Sequence, residues 1–189
     1  MASAPSVIVI DAERLTATLA GDILRVLGFS PVIMSYSAEE GEGRLEREKP
    51  DIVMLDLECG GGRDGLDLVR RLRDAGASYN PLVPVIVMTA HSDIERVFAA
   101  RDAGANEFLA KPFTPRAIFQ RLAEVVERPR PFVVLPSFFG PDRRRSSRPF
   151  DGEDKRMTPA MPAPGVRVGG AGDAFLRELR KRASEGNLA

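Results

Sequence analysis

Five short apolar runs recur along the first two thirds of this 189-residue chain: SVIVI (6–10), PVIMSY (31–36), DIVML (51–55), PVIVMTA (84–90) and NEFLA (106–110). Each precedes a stretch with helical spacing: ERLTATLAGDILRVLG, SAEEGEGRLEREK, GLDLVRRLRDAG, SDIERVFAARDAG and TPRAIFQRLAEVVE. The runs are apolar at successive positions rather than at every second one, so strands built from them must bury both faces. That condition selects a parallel sheet covered by helices on both sides, the helices being the crossovers that parallel neighbours require. The expected fold is α/β, a (βα)5 doubly wound parallel sheet over residues 5–127. Helix punctuation agrees: Ser37 and Ser92 stand at N-cap positions, Gly28, Gly76 and Gly104 where helices should stop, and Pro115 just inside the last helix. In the first helix Leu15, Leu19, Ile23, Leu24 and Leu27 form the face expected to meet the sheet.

In open α/β sheets function sits beyond the carboxyl ends of the strands. Strand 1 delivers Asp11 and Glu13, strand 3 Asp56, strand 4 Thr89 and strand 5 Lys111. Carboxylates gathered on one edge repel unless a divalent, oxygen-preferring cation or an ammonium balances them, which points to magnesium with Lys111 as the opposing charge. The set suits phosphoryl chemistry, an aspartate oxygen serving as nucleophile and fixed positive groups facing the phosphoryl oxygens. The loop CGGGRDG (59–65) can bring backbone N–H groups close because glycine carries no Cβ. No strand–helix turn carries a phosphate-loop or G-x-G-x-x-G signature, which argues against nucleotide or flavin binding.

In order and spacing, VIVIDAE, DIVMLDL, the DG at 64–65, VIVMTA and FLAKPF resemble the receiver domain of two-component response regulators, which has a flavodoxin-like fold. The resemblance covers residues 5–127. It implies Asp56 as phospho-acceptor, Thr89 as the hydroxyl that turns toward the acyl phosphate, and Lys111 as the phosphate-binding lysine, joined to Pro112 by a cis bond. Phe108 takes the aromatic switch position. Magnesium would be held by Asp11 through water, by Asp56 and by the backbone carbonyl of Glu58. The implied partners are a histidine kinase or phosphotransfer protein upstream, and downstream an unknown protein meeting the tail or the face made by helix 4, strand 5 and helix 5. No enzymatic or helix-turn-helix output domain is recognisable, so the reading is a phosphorylation-switched signalling protein rather than an enzyme, with nucleic acid not the expected partner.

Two departures from the family pattern stand out. The family has two adjacent acids after strand 1, and the second binds magnesium directly; here that position is Ala12, so the metal is expected to be held more weakly unless Glu13 reaches inward. The loop after Asp56 has three glycines where the family has a Met-Pro pair, and is one residue longer, which predicts mobility. Both keep a second reading open: a pseudo-receiver acting as a constitutive interaction module without phosphorylation. Cys59 reads as a small loop residue and His91 as an exposed helix start.

Charge divides the chain. Residues 1–127 hold 14 Lys and Arg against 20 Asp and Glu, and residues 128–189 hold 13 against 7. Residues 128–171 are rich in Pro, Gly and Arg and read as a linker or docking tail, mostly disordered, with FVVLPSFFGPDRRR either folding back on the acidic body or docking a partner. Similar FGPDRRR segments follow receiver domains in some bacterial proteins, a resemblance that implies no function. Residues 172–186 predict a short basic amphipathic helix. No apolar run approaches the ~20 residues of a membrane span, and the start lacks signal-peptide character, so the expected location is cytoplasmic.

Overall fold

The computed structural model describes residues 4–74, 76, 80–90, 94–135 and 138–143. His91, Ser92 and the predicted helix at 172–186 lie outside the described residues. Strands β1 (Val7–Ile10), β2 (Val32–Ser35), β3 (Ile52–Asp56), β4 (Val85–Thr89) and β5 (Glu107–Ala110) alternate with helices α1 (Arg14–Val26), α2 (Ala38–Glu48), α3 (Gly65–Leu72), α4 (Ile94–Ala103) and α5 (Pro115–Glu127). The strands form one parallel sheet in the order β2-β1-β3-β4-β5. The expected doubly wound α/β fold is borne out.

Side chains alternate across the sheet with the two-residue period of a strand. Ile8, Ile10, Val53, Leu55, Val85 and Val87 pack under α2, α3 and α4 with Leu45, Val69, Leu72 and Ala100. Val7, Val9, Ile52, Met54, Ile86 and Met88 pack under α1 and α5 with Ala20, Leu24, Ile118 and Leu122. Both faces are therefore core, the condition that the unbroken apolar runs impose.

Two local expectations need correction. Of the expected α1 face, Leu24 and Leu27 are buried and Ile23 packs on the same layer, joined by Ala17, Ala20 and Gly21, but Leu15 and Leu19 are 77% and 50% exposed. Small residues let the helix lie close to the strands, and the leucines on the flank turn outward. Helix α3 stops at Leu72, with Arg73 as its C-cap, four residues before Gly76. Ser37 and Thr114 cap α2 and α5 by accepting hydrogen bonds from the N–H groups of Glu40 and Ala117, and Pro115 is the first residue of α5.

The body also continues past residue 127, in the segment that the sequence reads as either folding back or docking a partner. Strands β6 (Phe132–Leu135) and β7 (Phe138–Pro141) pair antiparallel as a separate two-stranded sheet, and Phe132 and Val133 are buried.

Candidate functional site

In the strand order β2-β1-β3-β4-β5 the winding reverses between β1 and β3, and the crevice beyond their carboxyl ends is the place where such sheets bind ligands. Asp11 follows β1 and Asp56 ends β3, so both carboxylates fall at this switch point. Asp11 is fully buried; its N–H extends the β1–β2 ladder by donating to Ser35 O at 3.0 Å. Its Oδ1 accepts the N–H of Glu13 at 2.9 Å, which fixes the turn into α1.

Lys111 reaches this pair from the end of β5. Its Nζ donates to Asp56 Oδ2 at 2.8 Å and lies 2.7 Å from Asp11 Oδ2. The second contact has the distance of an ion pair without the direction of a hydrogen bond, so Asp11 Oδ2 is a buried oxygen satisfied by charge alone. The Lys111 N–H donates to Thr89 O at 2.8 Å, tying β5 to β4 beside the cluster. Thr89 is buried and stands one residue beyond Met88, the register partner of Asp56. The Lys111–Pro112 peptide bond is cis.

The electrostatics follow from burial. Removal from water raises the Asp11 carboxyl above its ordinary value despite the close Lys111 ammonium and the Glu13 N–H that favour its charge. Burial works against the Lys111 ammonium as well, but its close contacts with the charged Asp11 and Asp56 carboxylates outweigh it and hold the group above its usual value. A single ammonium thus faces two carboxylates, leaving the cluster with an excess of negative charge and an under-satisfied oxygen.

The remaining expected residues are spread around this cluster. Glu13 is exposed, and its Oε2 accepts the Thr16 hydroxyl at 2.7 Å on the outside of α1. Its side chain is turned to its own helix, so the structure does not bring Glu13 inward in place of the missing acid. Ala12 is exposed, Glu58 lies exposed two residues past Asp56, and Phe108 is half-buried against the layer under α2, α3 and α4. Among the described residues no three His, Cys, Asp or Glu side chains converge closely enough to share a metal. Magnesium, however, commonly keeps several waters and needs only one or two carboxylates besides substrate oxygens. Asp11 and Asp56, with the under-satisfied Asp11 oxygen, fit such an ion.

The glycine loop follows a path that only glycine takes without strain. Gly60, Gly61 and Gly62 all have φ between +73° and +77°, which a residue with a Cβ adopts only with strain. A Cβ on Gly61 would overlap the Glu39 carboxylate, and one on Gly60 would stand 3.1 Å from the Ala12 methyl. Arg63 straps the loop to α2 through Glu39 at 3.1 Å and Glu42 at 3.0 Å. The close fit of Gly65 sets where the loop ends: a Cβ there would lie 2.6 Å from Asp56 O and 2.7 Å from Leu57 Cα. Cys59 is buried, and that burial pushes its thiol up to about 11.

The Arg63 strap was missed in the sequence, although a basic residue inside a glycine loop, facing an acidic first turn of α2, is its signal.

A family model of the response regulator receiver domain matches residues 7–123, more than half of the chain. Among curated proteins, the transcriptional regulatory protein BaeR of Escherichia coli is 27% identical over 128 residues, covering 67% of this chain and 50% of its own length. The probable transcriptional regulatory protein TcrX of Mycobacterium tuberculosis is 29% identical over 123 residues, covering 65% and 50%. The chain spans about half the length of these curated relatives. A solved putative response regulator from Chloroflexus aurantiacus superposes with a TM-score of 0.61 at 28% identity, covering 67% of this chain and all of that one. The receiver domain of a Pseudomonas aeruginosa sensor histidine kinase, solved with magnesium coordinated in its active-site cleft, shares the fold with a TM-score of 0.56 at 24% identity, covering 65% of this chain and 96% of that one. With the sheet order, the strand-end cluster and these matches in agreement, the chain belongs to the response regulator receiver domain family.

Proposed function

We propose that this protein is a phosphorylation-dependent signalling component of a two-component phosphorelay, with Asp56 as the phospho-acceptor. The observation that carries the reading is Lys111 Nζ set between Asp11 and Asp56, beside the buried Thr89. An Asp56 oxygen attacks phosphorus, the bond from phosphorus to the donor's nitrogen or oxygen breaks, and the donor keeps that electron pair. Lys111 then faces a phosphoryl oxygen instead of the bare carboxylate, and the Thr89 hydroxyl turns to donate to another. Phe108 follows as the aromatic beside the moving strand end.

Magnesium, when bound, supplies charge neutralisation for the phosphoryl oxygens. Asp11, Asp56 and the Glu58 carbonyl are the groups here that would hold it, and Ala12 lowers the affinity by removing an anionic ligand. Leu15 and Leu19, exposed on α1 next to Asp11, offer an apolar surface for a histidine kinase or phosphotransfer partner. Ile94 and Phe98, exposed on α4, do the same for a downstream protein on the face of α4, β5 and α5. No helix among the described residues is long and apolar enough to cross a membrane, in keeping with a cytoplasmic relay.

The test is intact mass after incubation with acetyl phosphate and magnesium, with Asp56→Asn alongside. One phosphoryl group on the wild type alone supports the assignment, and labelling that persists in the variant refutes it. Ala12 favours a second reading, a pseudo-receiver that binds its partner constitutively. Absence of any magnesium-dependent response to beryllofluoride, together with no labelling by a cognate kinase, would select it.

A further inference from the structure

The segment FFGPD followed by Arg143 has no part in the carboxyl-edge cluster, yet nearly every residue in it has a specific contact at the opposite end of the sheet. Arg73 is the centre of that end. Its guanidinium is buried and donates to Gly104 O at 2.9 Å, Pro81 O at 2.8 Å, Val83 O at 2.8 Å and Asn106 Oδ1 at 2.9 Å. It therefore grips the residues leading into β4 and β5. The Phe132 ring closes over it, 5.2 Å from the guanidinium carbon, and Phe139 packs on Phe132 with ring centroids 5.6 Å apart.

Gly140 then meets the α4–β5 turn: a Cβ there would lie 2.8 Å from the Phe138 ring and 3.3 Å from Gly104 Cα. The Asp142 N–H donates to Pro131 O at 2.7 Å, closing the base of the hairpin. Arg143 stacks on Phe138 at 4.0 Å and pairs with Asp102 at 3.3 Å, while Arg130 pairs with the buried Glu107 at 2.9 Å.

We propose that residues 130–135 and 138–143 are a permanent clamp on the amino-terminal end of the sheet, docked whatever the state of Asp56. The clamp fixes the near ends of β4 and β5, whose far ends carry Thr89 and Lys111, and confines switching motion to the carboxyl edge. It also sets Arg143, from which the chain continues, at the end opposite the phospho-acceptor. The docking stands on the packing alone, and only the confinement of switching motion rests on the phosphorylation reading.

Hydrogen exchange on the full chain, with and without magnesium and beryllofluoride, tests it. Peptides within 132–141 are expected to exchange at least about a hundredfold slower than an unstructured chain in both states. Exchange at the unstructured rate in the untreated protein, or protection lost on adding beryllofluoride, would overturn the proposal. Gly140→Val is expected to release 132–141 and to speed exchange at 104–107; unchanged exchange would equally overturn it. Should Gly140→Val fail to fold, Arg143→Ala replaces it, with an expected few-fold acceleration confined to 138–143 and refutation if there is none. A site that takes no beryllofluoride shows itself by unchanged exchange around Thr89 and Lys111; that outcome counts against the phosphorylation reading alone, and the untreated protein and the variants still decide the clamp.

Discussion

The two ends of the sheet each bury positive charge, and they satisfy it in opposite ways. At the amino-terminal end the Arg73 guanidinium meets three backbone carbonyls, an amide oxygen and an aromatic ring, all neutral. At the carboxyl end the Lys111 ammonium meets two carboxylates, one of which keeps an oxygen without a hydrogen bond. The first arrangement partners every nitrogen of the guanidinium without using a charged group. The second is short of positive charge and gains from any cation, the more so once an acyl phosphate adds negative charge at Asp56. Buried polar groups that are fully partnered rigidify a fold, and those that are partly partnered are where chemistry can be placed.

The sharpest way to break the comparison is to remove each cation. Arg73→Met is expected to cost about 4 kcal/mol, because three carbonyls lose their donor in a dry site and the Asn106 amide oxygen keeps only the Val85 N–H. Urea unfolding would measure it. Arg73→Lys should recover only part of the loss, since an ammonium cannot reproduce the planar fork of donors. Burial pulls the guanidinium down to about 9, so it stays charged at neutral pH and this cost is insensitive to pH between 5 and 7.5.

Lys111→Met comes next, at about 3 kcal/mol near pH 7.5, because Asp11 and Asp56 are left facing each other. This loss depends on pH. The Asp11 carboxyl is already raised, so the folded state holds more proton than the unfolded one above the ordinary carboxylate range, and stability falls as pH rises through that window. Without the ammonium the window widens upward, and the variant should regain stability as pH is lowered from 7.5 toward 5.5. In the wild type the raised Lys111 contributes stability that is complete below its ordinary value of 10.5 and is lost as pH rises beyond it. A variant whose stability is flat between pH 5.5 and 7.5 would show that the two carboxylates do not interact.

Ala12→Asp adds charge to the deficient end. A third carboxylate is expected to tighten magnesium binding about tenfold, or about 1.4 kcal/mol, measured by calorimetry. Ala12 is exposed and Gly60 leaves it room, so the fold should accept the side chain. Unchanged affinity would mean that Asp11 and Asp56 already set the binding.

The carboxyl end was legible in the sequence because a parallel sheet delivers its strand-end residues to one edge whatever the details of packing. Asp11, Asp56, Thr89 and Lys111 needed only the strand positions. Glu13 was not legible: a helix-start acid can turn inward or cap its own first turn, and the choice rests on Thr16 three residues later. The amino-terminal end was harder still. Its clamp uses two four-residue strands among prolines, a composition that reads as linker, and its anchor is Arg73, which the sequence shows as one more arginine in VRRLRD. Nothing local marks that arginine as buried, because its partners come from Pro81, Val83, Gly104 and Asn106.

The smallest expected effect belongs to the loop that separates the two behaviours. Arg63 is about half exposed, and its pairs with Glu39 and Glu42 are surface pairs, so Arg63→Ala should change global stability by only ~0.5 kcal/mol. Its consequence should be local. Three successive glycines at positive φ have few internal restraints, and Arg63 is the side chain that ties them to α2, with Arg71 holding Glu42 from the other side at 2.6 Å. Without it, exchange at residues 59–64 should accelerate several-fold while β3 and β4 stay protected, and high salt should mimic the variant by screening the same pairs. Equal exchange in both proteins would mean that the glycines hold their shape through the Asp64 cap and the Gly65 contact alone. The loop over the carboxylates would then be as rigid as the clamp at the far end, and its lack of side chains would reflect close packing rather than readiness to move.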